Sequence, residues 1–98
     1  MHKLICEAIK SKRIIKFNYD GFERVVEPHT CGIHKATGNV VLSAYQVGGY
    51  SSSEKIPYWR LYVVDKITDL EITNEIFIEP RPGYRRGDSR MSIIYCEI

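Results

Sequence analysis

Turn signals cut the middle of this chain into pieces too short to be anything but strands. Ile15, Phe17 and Tyr19 alternate with Lys16 and Asn18, Asp20-Gly21 follows, and Phe22 to Pro28 runs outward again through Val25 and Val26. That is the pattern of a β-hairpin closed by a two-residue turn. Thr37-Gly38-Asn39 then leads into Val40 to Tyr45, a β-branched and apolar run that predicts a third strand. Tyr58 to Val64 resumes a strand rhythm after Pro57, and Lys66 to Thr73 continues as a fifth strand beyond a bend at Asp65. Between the third and fourth strands, Gly48 to Ser53 has the composition of a mobile loop. Ahead of the sheet, Leu4, Ile5, Ala8 and Ile9 recur at helical spacing opposite Lys3, Glu7, Lys10 and Lys12, predicting an amphipathic helix over residues 2–12. A helix shorter than roughly 12 to 15 residues is marginal alone, so this one must pack on the sheet. The expected fold is mainly β: a small antiparallel β-barrel with one N-terminal α-helix and a C-terminal strand extension. That extension, residues 74–98, holds Ile76-Phe77-Ile78, a Pro/Gly/Arg stretch, and a closing run from Met91 to Cys96 that reads as an edge strand able to pair with a second subunit.

The whole chain, 98 residues, is the size of one domain. Fourteen basic residues against twelve acidic ones leave a net charge of +2, so any preference for phosphate must be local rather than carried by bulk charge. The apolar runs fall well short of the roughly 20 residues that span a bilayer, and no signal-peptide core follows Met1, so no membrane association and a cytoplasmic location are expected. Cys6, Cys31 and Cys96 are odd in number and lack Cys-x-x-Cys spacing, which reads as three reduced thiols. His29, Cys31 and His34 lie within six residues but match no common zinc spacing, so no metal is expected. No Ser-His-Asp order, Gly-x-Ser-x-Gly elbow, His-Glu-x-x-His pair or phosphate loop occurs. The expectation is a protein that is not an enzyme, with no catalytic residues and no cofactor.

The order of several segments resembles the WYL domain, a bacterial ligand-sensing module with an Sm-like or SH3-like barrel. Those segments are Ala8 to Arg13, Ile15 to Tyr19, Arg24 to Pro28, Gly38 with Leu42 and Ala44-Tyr45, and Trp59 to Ile67, so that the match covers roughly residues 4–73. The sequence departs from the family at its eponymous tripeptide, where Val40, Val41 and Leu42 stand, and this marks a divergent branch. WYL domains usually follow a helix-turn-helix DNA-binding domain, whereas about ten helical residues precede the barrel in this chain. The resemblance therefore implies a free-standing regulatory module that acts through a partner regulator protein, through self-assembly into a homo-oligomer, or on a bound nucleic acid.

Candidate ligand residues come from the strands and the tail. Alternation places Tyr58, Arg60, Tyr62 and Val64 on one strand face and Trp59, Leu61 and Val63 on the other. Arg60 between Tyr58 and Tyr62 suits a nucleotide, since a guanidinium holds phosphate bidentately while a ring stacks on the base. The same face reads equally as a solvated strand with Arg60 covering a tyrosine. Arg24 is either a groove arginine, as the resemblance implies, or a charge on a sheet edge. Tyr45 is either a groove aromatic or a core residue, and His29 either a polar ligand contact or a loop histidine. Arg81, Arg85, Arg86 and Arg90 concentrate positive charge between Pro80 and Arg90, with Asp88 the one acid among them. Such a segment either follows a nucleotide or single-stranded nucleic acid backbone or forms a solvated turn or a clamp on an acidic neighbour.

Overall fold

The computed structural model describes residues 1–50 and 55–98. Among the described residues, helix α1 (His2–Ser11) leads into strands β1 (Arg13–Tyr19), β2 (Phe22–His34), β3 (Val40–Gly49) and β4 (Tyr58–Val63). A 3-10 turn (Val64–Lys66) joins β4 to β5 (Thr68–Ile76), and β6 (Met91–Glu97) ends the order. The strands form one antiparallel sheet in which β4, β3, β2, β1 and β5 lie side by side, with β6 attached to β2. The expected mainly-β, barrel-like fold is therefore present, and the sheet curls without closing.

Each element follows from local chemistry. Asp20 and Gly21 both take positive φ (52° and 82°), as a two-residue turn matched to strand twist requires, and this fixes the β1–β2 register with Tyr19 opposite Phe22. Helix α1 buries Ile5, Ala8 and Ile9 on the sheet and ends where Lys12 turns left-handed (φ 53°), its amide bonded back to Ala8 and Ile9. Those three side chains join Ile15, Phe17, Val26, Leu42, Ala44, Tyr62, Val64 and Ile67 in a single core. The expected bend at Asp65 is the 3-10 turn. Strand β3 runs four residues past its expected end because Gly48 and Gly49 pair with Val25 and Arg24. They were expected to open a mobile loop running to Ser53; of that loop, Ser51 to Ser53 lie outside the described residues.

Strand β2 organises the rest. One of its edges carries β3 throughout; the other is shared, with β1 on residues Phe22–Val26 and β6 on residues Thr30–His34. Between those stretches Pro28 stands opposite Ala44 and Thr30 opposite Ser43, so His29 is the extra residue of a β-bulge. The tail crosses from β5, with the amide of Phe77 bonded to the carbonyl of Lys12, and returns as β6.

The expectation of three reduced thiols is corrected. Cys6 of α1 and Cys96 of β6 form a disulfide across a sequence separation of 90 residues, leaving only Cys31 free, in the core. The pairing follows from α1 lying against β6, a tertiary contact that cysteine spacing does not encode.

Gly32 is where β6 can approach β2. A Cβ there would collide with the Ile93 carbonyl oxygen and come within 3.0 Å of Ile94 Cα and Met91 Sδ, two of the three being backbone atoms that cannot swing away. Gly32→Ala is expected to lower the unfolding free energy by about 1 to 3 kcal/mol, the usual range for overpacking. Urea denaturation monitored by circular dichroism measures it.

Candidate functional site

The bulge turns Glu27, His29 and Thr30 away from the core, toward the tail. Glu27 is 4% exposed and His29 0%, so both need partners from within the protein. Arg81 supplies them. Its guanidinium bonds the Glu27 carboxylate bidentately (2.7 and 3.0 Å) and lies 4.8 Å above the Tyr45 ring, while its backbone amide donates to His29 Nε2 (3.1 Å). With Nε2 accepting, Nδ1 must carry the proton that it donates to the Glu27 carbonyl (2.8 Å), and the imidazole is fixed as one neutral tautomer. Burial lowers the His29 pKa below 6.5, outweighing the opposing pull of the Glu27 carbonyl and carboxylate. Trp59, Phe77 and Tyr84 surround the ring with centroids at 4.6, 5.4 and 5.4 Å.

Beyond this clamp the tail forms the wall of a groove of about 660 Å³. Tyr58, Trp59, Arg60 and Leu61 of β4 line one side, residues Gly83 to Arg90 the other, and Thr30 and Ser43 the floor. Trp59 Nε1 ties the two sides by donating to the Pro82 carbonyl (2.9 Å). The wall is held mainly from the end of β6. Gly87 N–H donates to Glu97 Oε1 (2.8 Å), Tyr84 Oη to the Ile98 carbonyl (2.7 Å), and Arg86 to both Glu97 (3.3 Å) and Ile98 (2.8 Å). Arg90 bonds Asp88 (2.6 Å) and reaches Ser43 Oγ (3.4 Å), and its hydrogen bonds hold the Asp88 carboxyl below the usual carboxylate range. Arg85 and Tyr58 are exposed. Three arginines, Arg85, Arg86 and Arg90, thus meet one aspartate along a groove that Tyr58, Trp59, Arg60 and Leu61 border from β4.

The structure brings together some of the sequence-derived candidates and separates others. Arg85, Arg86 and Arg90 share the tail wall, whereas Arg60, paired with the core residue Ala44 and acting electrostatically on the Tyr62 hydroxyl, projects from the face of β4 opposite Trp59. Tyr62, expected beside Arg60 as a ligand contact, is 2% exposed in the core against Phe17 and Tyr19. Arg24 is 7% exposed and bonds the Tyr19 carbonyl (3.1 Å) beneath that ring, away from the groove. Tyr45 and His29 belong to the clamp. Arg81 is the clamp's own cation, the acidic-neighbour alternative for the tail. Sequence reading passed over Glu27, although an acid followed by proline within an apolar strand signals a second face in need of cover. Comparisons with protein-family models, curated proteins and solved structures found no match.

Two outcomes follow from the clamp. The unfolded chain takes up a proton on His29 near pH 6.5 and the folded chain only at lower pH, so unfolding binds a proton in that interval. Stability is therefore expected to be flat above about pH 7 and to fall as pH drops toward about 5, with a shallower slope in His29→Asn, measured by denaturant titration across pH. Arg81→Ala strands a buried carboxylate and removes a cation–π contact. Discounted for the 41% exposure of its side chain, the loss is expected to be about 2 kcal/mol, read as a lowered urea midpoint.

Proposed function

We propose that this protein is a non-enzymatic regulatory module of the WYL type, cytoplasmic, whose β4–tail groove binds a nucleotide or a short single-stranded nucleic acid. The observation that carries this reading is the clustering of Arg85, Arg86 and Arg90 on the tail wall beside the rings of Trp59 and Tyr84. Phosphate oxygens match guanidinium donors, and a base stacks on a tyrosine without regard to its identity. The order of WYL-like segments supports the same class. Positive charge in the groove is local, in keeping with a chain of net charge +2.

Trp59, the single tryptophan, lines the groove and reports occupancy directly. Titrating AMP, ATP and mixed-sequence eight-nucleotide DNA at low salt is expected to change its emission with micromolar affinity. Arg85→Ala and Arg86→Ala are each expected to weaken binding about tenfold, the scale of one charge-assisted hydrogen bond, and to flatten the salt dependence for DNA by about one phosphate contact each. Binding that is unchanged in Arg85→Ala and Arg86→Ala, or absent at high micromolar protein, rejects the reading.

A second reading, assembly with another copy of the chain, is favoured by β6. This strand pairs with β2 alone among the described residues, and Ile93 and Tyr95 are 52% and 42% exposed on it. Light scattering at about 100 μM separates the readings, since a strict monomer rejects assembly.

A further inference from the structure

We infer that the Cys6–Cys96 disulfide is a redox-sensitive strap that sets the arginine wall of the groove. This rests on the groove being the binding site, and its first observation is adjacency in sequence. Cys96 is followed directly by Glu97 and Ile98, the two residues that hold Tyr84, Arg86 and Gly87. The same end of the chain is bonded to the bulge, through the Ile98 amide and the His29 carbonyl (3.0 Å). Among the described residues β6 pairs with β2 alone, and its register slips between Cys31 and Gly32, next to the disulfide. The strap therefore adds a covalent anchor where the hydrogen-bonded pairing is thinnest.

The bond is open to chemistry. Cys6 and Cys96 are half-buried and line a surface groove of about 670 Å³ between α1 and β6, together with His2, Lys3 and Lys10. A small dithiol enters by thiolate attack on one sulfur. The S–S bond breaks, Cys6 and Cys96 take up two electrons and two protons as thiols, and the dithiol leaves as its own disulfide. Helix α1 keeps its place after reduction, because Ile5, Ala8 and Ile9 stay in the core. What loosens is the end of β6 and the wall that depends on it.

The third cysteine bears on which bond forms. Cys31 stands directly opposite Cys96 across β2 and β6, close enough to compete for it. Burial pushes the Cys31 thiol up to about 11, so at neutral pH it carries almost no thiolate and leaves Cys96 to Cys6. In a reducing compartment a disulfide with this exposure is conditional, which suits a sensor better than a permanent staple.

The test compares the full chain oxidised and reduced with dithiothreitol, the state of each cysteine fixed by alkylation and mass spectrometry. On reduction, amide exchange in residues 83–90 is expected to speed up at least tenfold, and Trp59, packed on Pro82 and Gly83, to shift its emission to the red. AMP and octanucleotide affinity are expected to fall at least fivefold and to recover on reoxidation. Cys6→Ser without reductant is expected to match the reduced protein, and Cys31→Ala to respond like the wild type. Unchanged exchange and emission in a protein whose disulfide is open overturn the strap, as does global unfolding on reduction. So does unchanged affinity where the wall has loosened. If neither form binds either probe, the nucleotide reading fails alone, and exchange and emission still decide whether the strap moves the wall.

Discussion

A buried carboxylate and a buried neutral histidine on the second face of β2 oblige the tail to lie where it does. In a small antiparallel sheet one strand face meets the core and the other meets water. β2 is buried on both over most of its length, because Glu27 and His29 leave their hydrogen-bonding demands on the outer face. Arg81 answers both at once, the carboxylate with its side chain and the imidazole with its amide. With Arg81 pinned, Pro82 and Gly83 fall against Trp59, and the following residues must pass over Thr30 and Ser43. The groove is thus a consequence of satisfying two polar groups.

The bulge at His29 makes this possible. Strict alternation along β2 would send every second residue from Arg24 onward into the core. The added residue resets the parity, so that Val26 and Cys31 both point inward while Glu27, His29 and Thr30 all serve the tail side. Pro28, with no amide to donate, sits in the gap between β1 and β6, where the shared edge of β2 has no strand partner among the described residues.

Local chemistry made the helix and the hairpin legible in the sequence. Apolar residues at helical spacing marked α1, and Asp20-Gly21 marked a turn whose two positive φ angles favour those residues. The strands were legible to within a few residues, since their ends depend on partners rather than on composition. The site was legible only in part. The arginine run was visible as charge, but its place along a groove depends on the tail folding back, and that depends on Glu27, whose partner lies 54 positions away. Tyr62 shows the limit of alternation, which assigns a side chain to a face without saying that the far end of that face is core. Cysteine spacing failed for a related reason, because a helix and a strand from opposite ends of the chain meet only once the sheet has formed.

The pairing of the wall's arginines with Glu97 and Asp88 is compatible with anion binding and shapes it. An arginine held by an acid at its back is fixed in direction, which lowers the entropy lost when a ligand arrives, while its remaining donors stay available for an incoming oxygen. Arg86 bonds Glu97 and the Ile98 carbonyl, and Arg90 bonds Asp88 and touches Ser43 on the floor, so both are positioned by the fold rather than by the ligand. Arg85, exposed on the same wall, is left to provide adaptable charge. A groove built this way favours a ligand that presents phosphate to a prearranged edge and a ring to Trp59 and Tyr84. Its selectivity is then set by how firmly Glu97 holds the wall, which brings the organisation of the site back to the end of β6.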